Sequence, residues 1–184
     1  MQMHTFIKLF IIFLFLQLAF FLHCGERVNP FEPETIEFPD TELKVKSYDP
    51  NQLPLLEKEV FEIINSHRVS LGLPECNWSI TIAKQCRTHS QNMAFGYIDF
   101  GHQGLQERLS TIKNTFRFIA KSGEVIYRQL ITEDVASNVV QNWLNDSNSR
   151  QKILGDFNFT GVGIAKSEKG IYVTQIVIKR SELD

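Results

Sequence analysis

Residues 160–179, TGVGIAKSEKGIYVTQIVIK, form the stretch of sequence that decides the fold class. Two runs rich in β-branched residues, TGVGIA and GIYVTQIVIK, are joined by KSEK before Gly170, and this pattern predicts a β-hairpin. The sequence between Leu55 and Trp143 shows mainly helical patterns. Helices followed by a terminal hairpin indicate an α+β domain in which helices cover an antiparallel sheet.

Two glycines, Gly161 and Gly163, stand in the first strand of this hairpin as GVG. A phosphate-binding loop would need further glycines and a lysine at defined spacing, which this stretch lacks. A glycine inside a strand is typical of a position where another backbone approaches closely. We therefore predict close backbone packing at the start of this strand.

Two helices are predicted in the first half of the domain. The first spans residues 55–72, and its apolar residues recur at helical spacing up to a stop at Gly72. The second follows an N-cap at Ser79 and ends at Gly96. The predicted inner faces consist of Leu56, Val60, Ile63, Ile64 and His67 in the first helix, and of Ile82, Cys86, His89 and Met93 in the second.

Two further helices and a strand are predicted before the hairpin. The third helix covers residues 104–112, and the alternating stretch 116–128 is expected to be a strand. Thr132 is the predicted N-cap of the fourth helix, with Glu133 and Asp134 in a first turn where they complement the helix dipole. The predicted inner face of that helix consists of Val135, Val139, Val140 and Trp143.

The amino-terminal residues predict export. An apolar run from Leu9 to Leu22 has the length of a signal peptide and is short for a membrane-spanning helix, which needs about 20 apolar residues. Cys24 follows this run, where the small residues of an ordinary cleavage site are missing, and it resembles the acylated cysteine of bacterial lipoproteins. Residues 1–24 are therefore predicted to be a signal peptide. Three outcomes stay open: a lipid anchor on Cys24, a released secreted form, or an uncleaved signal anchor.

Residues 25–54 are predicted to be an acidic, proline-rich tether. They contain five of the six prolines and an excess of acidic residues, and sequence of this kind stays extended instead of forming a helix or a central strand. The folded domain is then expected to comprise residues 55–184. Export would place this domain in the cell envelope, at the cell surface or in the medium.

The overall charge argues against one class of partner. With 19 basic and 21 acidic residues, the chain has a net charge of −2 and lacks the basic footprint of a nucleic-acid-binding protein. An oxidising compartment would permit a disulfide between Cys76 and Cys86. Cys86, however, lies well inside a helix that starts after Cys76, so we predict two small buried thiols.

Six stretches of the domain occur in an order that resembles the CAP superfamily, which comprises the cysteine-rich secretory, antigen 5 and pathogenesis-related 1 proteins. They are NSHRVSLGLPECNWS, IAKQCRTHSQNMAFGYIDFGH, SGE, WLNDSNSRQKIL, FTGVGIA and IYVTQIV. The resemblance extends over residues 55–179 and is closer to the exported bacterial branch, which is not cysteine-rich. It implies a three-layer α-β-α sandwich with a shallow cavity on one face.

In that family two histidines and two acids line the cavity, and this chain matches the set only in part. The resemblance places the first histidine at His102 and the acid of the G-E-N signature at Glu124, although valine follows instead of asparagine. Asp146 stands three residues after the helix tryptophan, where eukaryotic members have a glutamate. Bacterial members have a histidine at the position of Ser149, and the other histidine position of the family, ahead of the T-Q pair in the last strand, is occupied by Tyr172. The cavity is therefore expected to be degenerate.

This set of residues suggests no required cofactor. His102, Glu124 and Asp146 offer one nitrogen and two carboxylates, which could hold a divalent metal weakly, with His102 as the main ligand. A tight zinc site would need three or four well-placed ligands. His67 and His89 lie on inner helix faces and are predicted to be structural.

The resemblance implies an extracellular binding module, because the family is implicated in binding sterols, lipids and other ligands. The alternative is a metal-assisted hydrolase in which His102 and Glu124 activate a water or Ser149. The sequence identifies neither an oxyanion hole nor a substrate groove, so binding is the expected function. A purely structural role at the cell surface is a third hypothesis. The ligand, whether lipid, glycan or protein, is left open, and a lipid anchor or signal anchor would supply membrane attachment.

Overall fold

The computed structural model describes residues 49–130 and 134–181. The predicted signal peptide, Cys24, most of the predicted tether and the predicted cap Thr132 with Glu133 lie outside these ranges. They remain predictions from the sequence. Within the described ranges no helix is both long and apolar enough to cross a membrane.

The described chain forms five α-helices and four β-strands, preceded by a short 3-10 helix at Pro50–Gln52. The helices are α1 (Leu53–Ser70), α2 (Ile80–Ala94), α3 (Leu105–Lys113), α4 (Val135–Asn145) and α5 (Ser147–Ile153). The strands are β1 (Asn77–Trp78), β2 (Ile119–Gln129), β3 (Phe159–Ser167) and β4 (Gly170–Arg180). The α+β class is confirmed.

The four strands form one sheet in the order β1-β3-β4-β2. The predicted terminal hairpin is present, since β3 and β4 pair antiparallel from Phe159–Ile178 to Ser167–Gly170. Strand β2 also pairs antiparallel with β4. The sheet is nevertheless mixed, not purely antiparallel, because the two-residue strand β1 runs parallel to β3. A strand of two residues is too short to be recognised from an alternating pattern.

Helices cover both faces of the sheet, as the three-layer prediction requires. One core joins α1, α4 and α5 to inward residues of the sheet such as Val125 and Val162. A second core joins α2 and α3 to Ile176 and Ile178 on the other face. Successive residues of a strand point to opposite faces, so Glu124 projects toward α2 and α3 while Val125 projects toward α1 and α4.

Helix α2 packs directly on β3 at its two glycines. A Cβ atom at Gly161 would collide with the backbone of Ala83, and one at Gly163 would collide with the backbone of Arg87. Only glycine lets the helix axis come this close to the strand. The predicted role of the GVG sequence is confirmed.

Most helix features expected from the sequence are also confirmed. Ser79 caps α2, with its hydroxyl accepting a hydrogen bond from the Ile82 N–H, and Gly96 follows the helix with φ +77°. The predicted inner residues of α2 and α4 are all buried. Cys76 and Cys86 are separate buried thiols that donate to backbone carbonyls.

Three local predictions differ from the structure. Helix α4 begins at Val135, and Asp134 precedes it in a left-handed conformation without a side-chain cap, so Asp134 does not lie in the first turn. Helix α1 begins at Leu53 because Pro54 suits a first helical turn. Strand β2 begins at Ile119, since the Phe118 backbone turns to φ +61° and the Phe116 ring packs on Phe159 instead.

Candidate functional site

Glu124 is the centre of a polar cluster buried between β2 and the helical layer formed by α2 and α3. Glu124 is 2% exposed to solvent. The Arg108 guanidinium, from α3, donates to both carboxylate oxygens: Nε to Oε2 at 2.9 Å, and Nη2 to Oε1 at 2.8 Å and to Oε2 at 2.6 Å. Nη1 of the same side chain donates to the Gln103 carbonyl at 2.7 Å. The buried charge of Glu124 is thus neutralised by a bidentate ion pair.

His102, in the loop between α2 and α3, completes the coordination of this carboxylate. Its Nδ1 lies 2.7 Å from Glu124 Oε1, and its side chain is 48% exposed. Because a carboxylate can only accept, Nδ1 carries the proton and donates it. His102 therefore presents an oriented, half-exposed imidazole beside a buried acid.

His89, from α2, lies against the same carboxylate but is anchored elsewhere. Its Nε2 donates to the Gly101 carbonyl at 2.8 Å and lies 3.9 Å from Glu124 Oε1. Burial lowers the pKa of His89, and the nearby Arg108 cation lowers it further. The ring is therefore neutral, and Nδ1 is an acceptor without a hydrogen-bond partner among the described residues. The structural role predicted for His89 agrees with this arrangement, because it holds the loop that carries His102.

Asp146 and Ser149 are close to each other, as their spacing predicts, but they serve the start of α5. The Asp146 carboxylate accepts from the Ser149 backbone N–H at 2.8 Å, which is the geometry of a helix N-cap. Hydrogen bonds from the Ser149 hydroxyl and backbone N–H lower the pKa of Asp146. Both residues belong to the junction of α4 and α5, in the layer opposite to the one that Glu124 faces.

Tyr172 is buried on the α2 side of the sheet but packs in an apolar cluster. Its neighbours there are Met93, Ala94 and Ala165. It pairs with Arg128, four residues along β2 from Glu124. The structure therefore brings His102 and Glu124 together and places Asp146, Ser149 and Tyr172 in other surroundings.

The donor set of the cluster does not fit a metal ion. No group of three or more His, Cys, Asp or Glu residues in the described ranges is arranged to hold one. Both oxygens of Glu124 already accept from Arg108, and a guanidinium at this distance repels a second cation. His102 alone cannot make a tetrahedral site.

Arg108 is a residue of this cluster that the sequence motifs did not reveal. It lies on the inner face of α3, beside Leu109 and Ile112, and is 8% exposed. An arginine on an amphipathic helix is usually solvent-exposed, so helical periodicity alone did not predict that Arg108 is buried. The available signal was indirect, because a buried glutamate needs a partner of opposite charge.

A cleft adjoins the cluster on the outer side of Arg108. Its volume is about 270 Å³. Its lining residues are Thr88, His89, Asn92, Ile98, Gln103, Gly104, Glu107 and Arg108. Most of these residues are polar, although carbon atoms supply the larger part of the lining surface, and Glu107 and Arg108 bring one anion and one cation to the same cleft.

A second ion pair joins the buried Glu57 of α1 to the partly exposed Arg87 of α2 and is structural. Arg87 Nη2 lies 2.5 Å from Glu57 Oε2, and Arg87 Nε donates to Oε1 at 2.7 Å. Glu57 Oε1 also accepts from the Ile164 backbone N–H at 3.1 Å, beyond the point where β1 stops pairing with β3. Glu57 thereby gives a hydrogen-bond acceptor to a backbone N–H at the edge of the sheet. Through Arg87 it also joins the two helical layers.

The chain belongs to the CAP family. The model of the cysteine-rich secretory protein family matches residues 61–177, which include the buried Glu124 cluster and the whole α2–β3 contact. The family expected from the order of the sequence motifs is thereby confirmed.

Three relatives show how this domain occurs elsewhere. An uncharacterized membrane protein of Bacillus subtilis, YlbC, is 29% identical over 129 residues, covering 67% of this chain and 34% of the relative. An extracellular protein with an SCP domain from Bacillus anthracis is similar with a TM-score of 0.56 and 25% identity, over 72% of this chain and 44% of that chain. An outer surface protein of Borrelia burgdorferi has a TM-score of 0.56 at 16% identity, over 69% of this chain and 94% of that chain, and shows the fold alone. This chain thus spans about a third of the length of YlbC.

Proposed function

We propose that this chain is an exported CAP domain that acts by binding an extracellular ligand and has no catalytic role. The observation that carries the proposal is that both carboxylate oxygens of Glu124 already accept hydrogen bonds from neighbouring side chains. A general base must be able to accept a proton from substrate or water, whereas both oxygens of this carboxylate accept from Arg108 and one also accepts from His102. The family acid therefore acts as a structural centre that orders the neighbouring cleft.

The cleft beside Arg108 supports a small polar ligand. Its volume of about 270 Å³ is close to the lower limit of small-molecule sites. Hydroxyl, amide and charged groups of Thr88, Asn92, Gln103, Glu107 and Arg108 line it. Polar side chains set among carbon surface favour part of a glycan or a peptide, which presents apolar faces together with hydrogen-bonding groups, over a lipid chain, which has no groups to pair with these side chains.

A cleft-filling variant tests this proposal in the full-length protein. We would measure the melting temperature and calorimetric binding with three probes: chito-oligosaccharides, short peptides and micellar phosphatidylcholine. Saturable binding of a glycan or peptide should raise the melting temperature, and Thr88→Trp should abolish the effect. Lys84→Trp is the matched control, because Lys84 is also exposed on α2 and lies one turn away, outside the cleft. Binding that survives in Thr88→Trp, or a response to none of the probes, would refute the proposal.

A hydrolase is the second candidate, favoured by the carboxylate-oriented, half-exposed imidazole of His102. That pair could position a water if a substrate supplied the remaining groups. The test is ester and peptide hydrolysis by the native protein and by His102→Ala. Turnover that disappears in His102→Ala while the melting temperature is kept would establish catalysis and overturn the binding proposal.

No metal cofactor is part of the proposed function. We expect zinc, magnesium and calcium to leave the melting temperature within error of its value in EDTA. A metal-dependent rise that is lost in His102→Ala would instead support a weak site centred on His102.

The proposed location is outside the cytoplasm, with attachment to a membrane through the amino-terminal residues. The apolar run ending at Leu22 and the following Cys24 support this. Two similar structures come from proteins described as extracellular or outer surface, and one relative is described as a membrane protein. Mass spectrometry of the purified mature chain would distinguish an acylated Cys24 from a cleaved or intact amino terminus.

A further inference from the structure

One end of the domain carries a group of exposed apolar side chains. We call it the turn end, and define it by Phe95, Tyr97, Phe100 and Leu130 around the β3–β4 turn. These four are among the nine large hydrophobic side chains that are exposed in the described residues. Phe95 is 60% exposed and Tyr97 is 77% exposed.

Contacts place these side chains together. Phe95 borders a cleft of about 400 Å³ with the turn residues Ser167, Glu168 and Lys169. The rings of Phe95 and Tyr97 are 6.3 Å apart.

The other two side chains border the same turn. Phe100 packs against Tyr172, on β4 near the turn, with ring centroids 6.4 Å apart. Leu130 follows β2 where its Cα comes near Gly170, the first residue of β4. The turn end is therefore one surface, assembled from the ends of α2, β2 and the hairpin.

The chain enters the domain at this same end. Glu57, near the start of α1, contacts Ile164, whereas Arg68, near its end, contacts Ile153 and Gly155 beside the start of β3. Helix α1 therefore runs antiparallel to β3, and its first residues lie toward the β3–β4 turn. The described chain therefore begins on the side of the turn end, so an amino-terminal membrane attachment leaves fewer residues between the bilayer and the turn end than between the bilayer and the opposite end.

Charges of both signs surround the turn end. Arg128 stacks on the Phe100 ring with its guanidinium carbon 5.0 Å from the centroid, and Lys169 is exposed in the turn. Asp99 and Glu168 are exposed acids among the same residues. This composition does not fit a polyanion. Aromatic rings beside charges of both signs fit the headgroup level of a zwitterionic bilayer.

We infer that the turn end docks on the surface of a phospholipid bilayer, with Phe95 and Tyr97 inserted at headgroup depth. This inference rests on the proposed amino-terminal membrane attachment, but it concerns a surface distinct from the ligand cleft beside Arg108 and does not depend on that cleft. Docking would fix the orientation of the domain and hold the opposite end, with α5 and the start of β3, away from the membrane.

Tryptophan quenching in the intact protein tests this orientation. Full-length Tyr97→Trp is reconstituted in phosphatidylcholine vesicles that carry a nitroxide quencher near the headgroup, and its emission is compared with that of the native protein. The two native tryptophans give a constant background, since Trp143 is buried and Trp78 pairs with Thr160 at the far end of β3. Leu71→Trp is the matched control, because Leu71 is 55% exposed at the far end of α1.

We expect the quencher to cause a loss and a blue shift of the Tyr97→Trp emission, and no added loss in Leu71→Trp. A Phe95→Ser change in the Tyr97→Trp background should reduce the quenching. Equal quenching at the two positions, or none at Tyr97→Trp, would overturn the inference. A blue shift that depends on protein concentration without lipid would also overturn it, and would assign the turn end to a second copy of the chain.

Discussion

Glu124 is a buried carboxylate whose environment decides what this CAP domain can do. An isolated charge in a protein interior is costly, so a buried acid persists only with a partner that neutralises it. Here the partner is Arg108, which donates hydrogen bonds to both carboxylate oxygens. His102 donates a further hydrogen bond to Oε1 from the solvent side. This arrangement explains how a carboxylate can be buried at this position of the sheet.

Replacing Arg108 with methionine should lower the free energy of unfolding by about 3–5 kcal/mol, because Glu124 would be left buried and unpaired. Urea denaturation measures the loss. Arg117→Met is the matched control, since Arg117 is exposed one residue before Phe118. The double variant Arg108→Met with Glu124→Leu should recover much of the stability. A single-variant loss no larger than that of Arg117→Met would contradict the buried ion pair.

The neutral His89 makes stability depend on pH in a defined direction. Because its pKa is lowered in the folded state, the unfolded chain binds a proton first as the pH falls below about 6.5. Stability should therefore fall with decreasing pH in this range, by at most about 1.4 kcal/mol per pH unit from this group. His89→Gln should show a shallower slope in denaturation curves between pH 6.5 and 5. An unchanged slope would mean that His89 is as readily protonated in the fold as in the unfolded chain.

The contact of α2 with β3 determines how the second helical layer sits on the sheet. Glycines at 161 and 163 allow the helix backbone to approach the strand, and the Ser90 hydroxyl then reaches the Gly163 carbonyl at 2.9 Å. This approach fixes the height of His89 above the sheet and, through the Gly101 carbonyl, the position of the His102 loop. Packing of two elements thus controls the site.

Gly163→Ala should destabilise the fold by about 3 kcal/mol, because the added methyl group meets the Arg87 backbone, which cannot move without shifting α2. Gly101→Ala is the matched control, since nothing lies within 4 Å of its added Cβ. Thermal and urea unfolding of both variants measures the difference. Equal stability of the two variants would show that α2 can retreat from β3 at little cost.

Distant parts of the whole molecule are joined by a buried arginine on α1. The Arg68 guanidinium donates to four backbone carbonyls: Pro74 at 2.9 Å, Ile153 at 2.8 Å, Gly155 at 3.0 Å and Phe157 at 3.3 Å. These contacts hold the end of α1 to the segment that connects α5 to β3. One side chain therefore links positions more than 80 residues apart in sequence.

Arg68→Met should cost more than about 3 kcal/mol, because several buried carbonyl oxygens would lose their donors at once. Hydrogen exchange should show lost protection at both ends of this link, near residue 68 and across residues 153–157. Arg117→Met, with its exposed side chain, provides the comparison. Protection that is lost only near residue 68 would mean that the link does not stabilise the molecule as a unit.

Much of this architecture could be read from local patterns in the chain. The hairpin, the Ser79 cap, the buried stripes of α2 and α4 and the role of Gly161 and Gly163 each depend on residues within one or two turns of one another. The short parallel strand β1 and the start of α1 at Leu53 were not predicted, since neither produces a periodic pattern of apolar residues.

The site could be predicted only in part. The family motifs identify His102 and Glu124, which the structure brings within 2.7 Å. They do not reveal that Asp146 caps α5 or that Arg108 holds Glu124, because the same residue types serve caps, ion pairs and ligands alike. By itself the sequence determined the elements and their buried faces, through periodicities that each segment carries alone. Only the tertiary structure decided which polar residues meet, because a partner 16 residues away along the chain is chosen by how helices and strands pack in three dimensions.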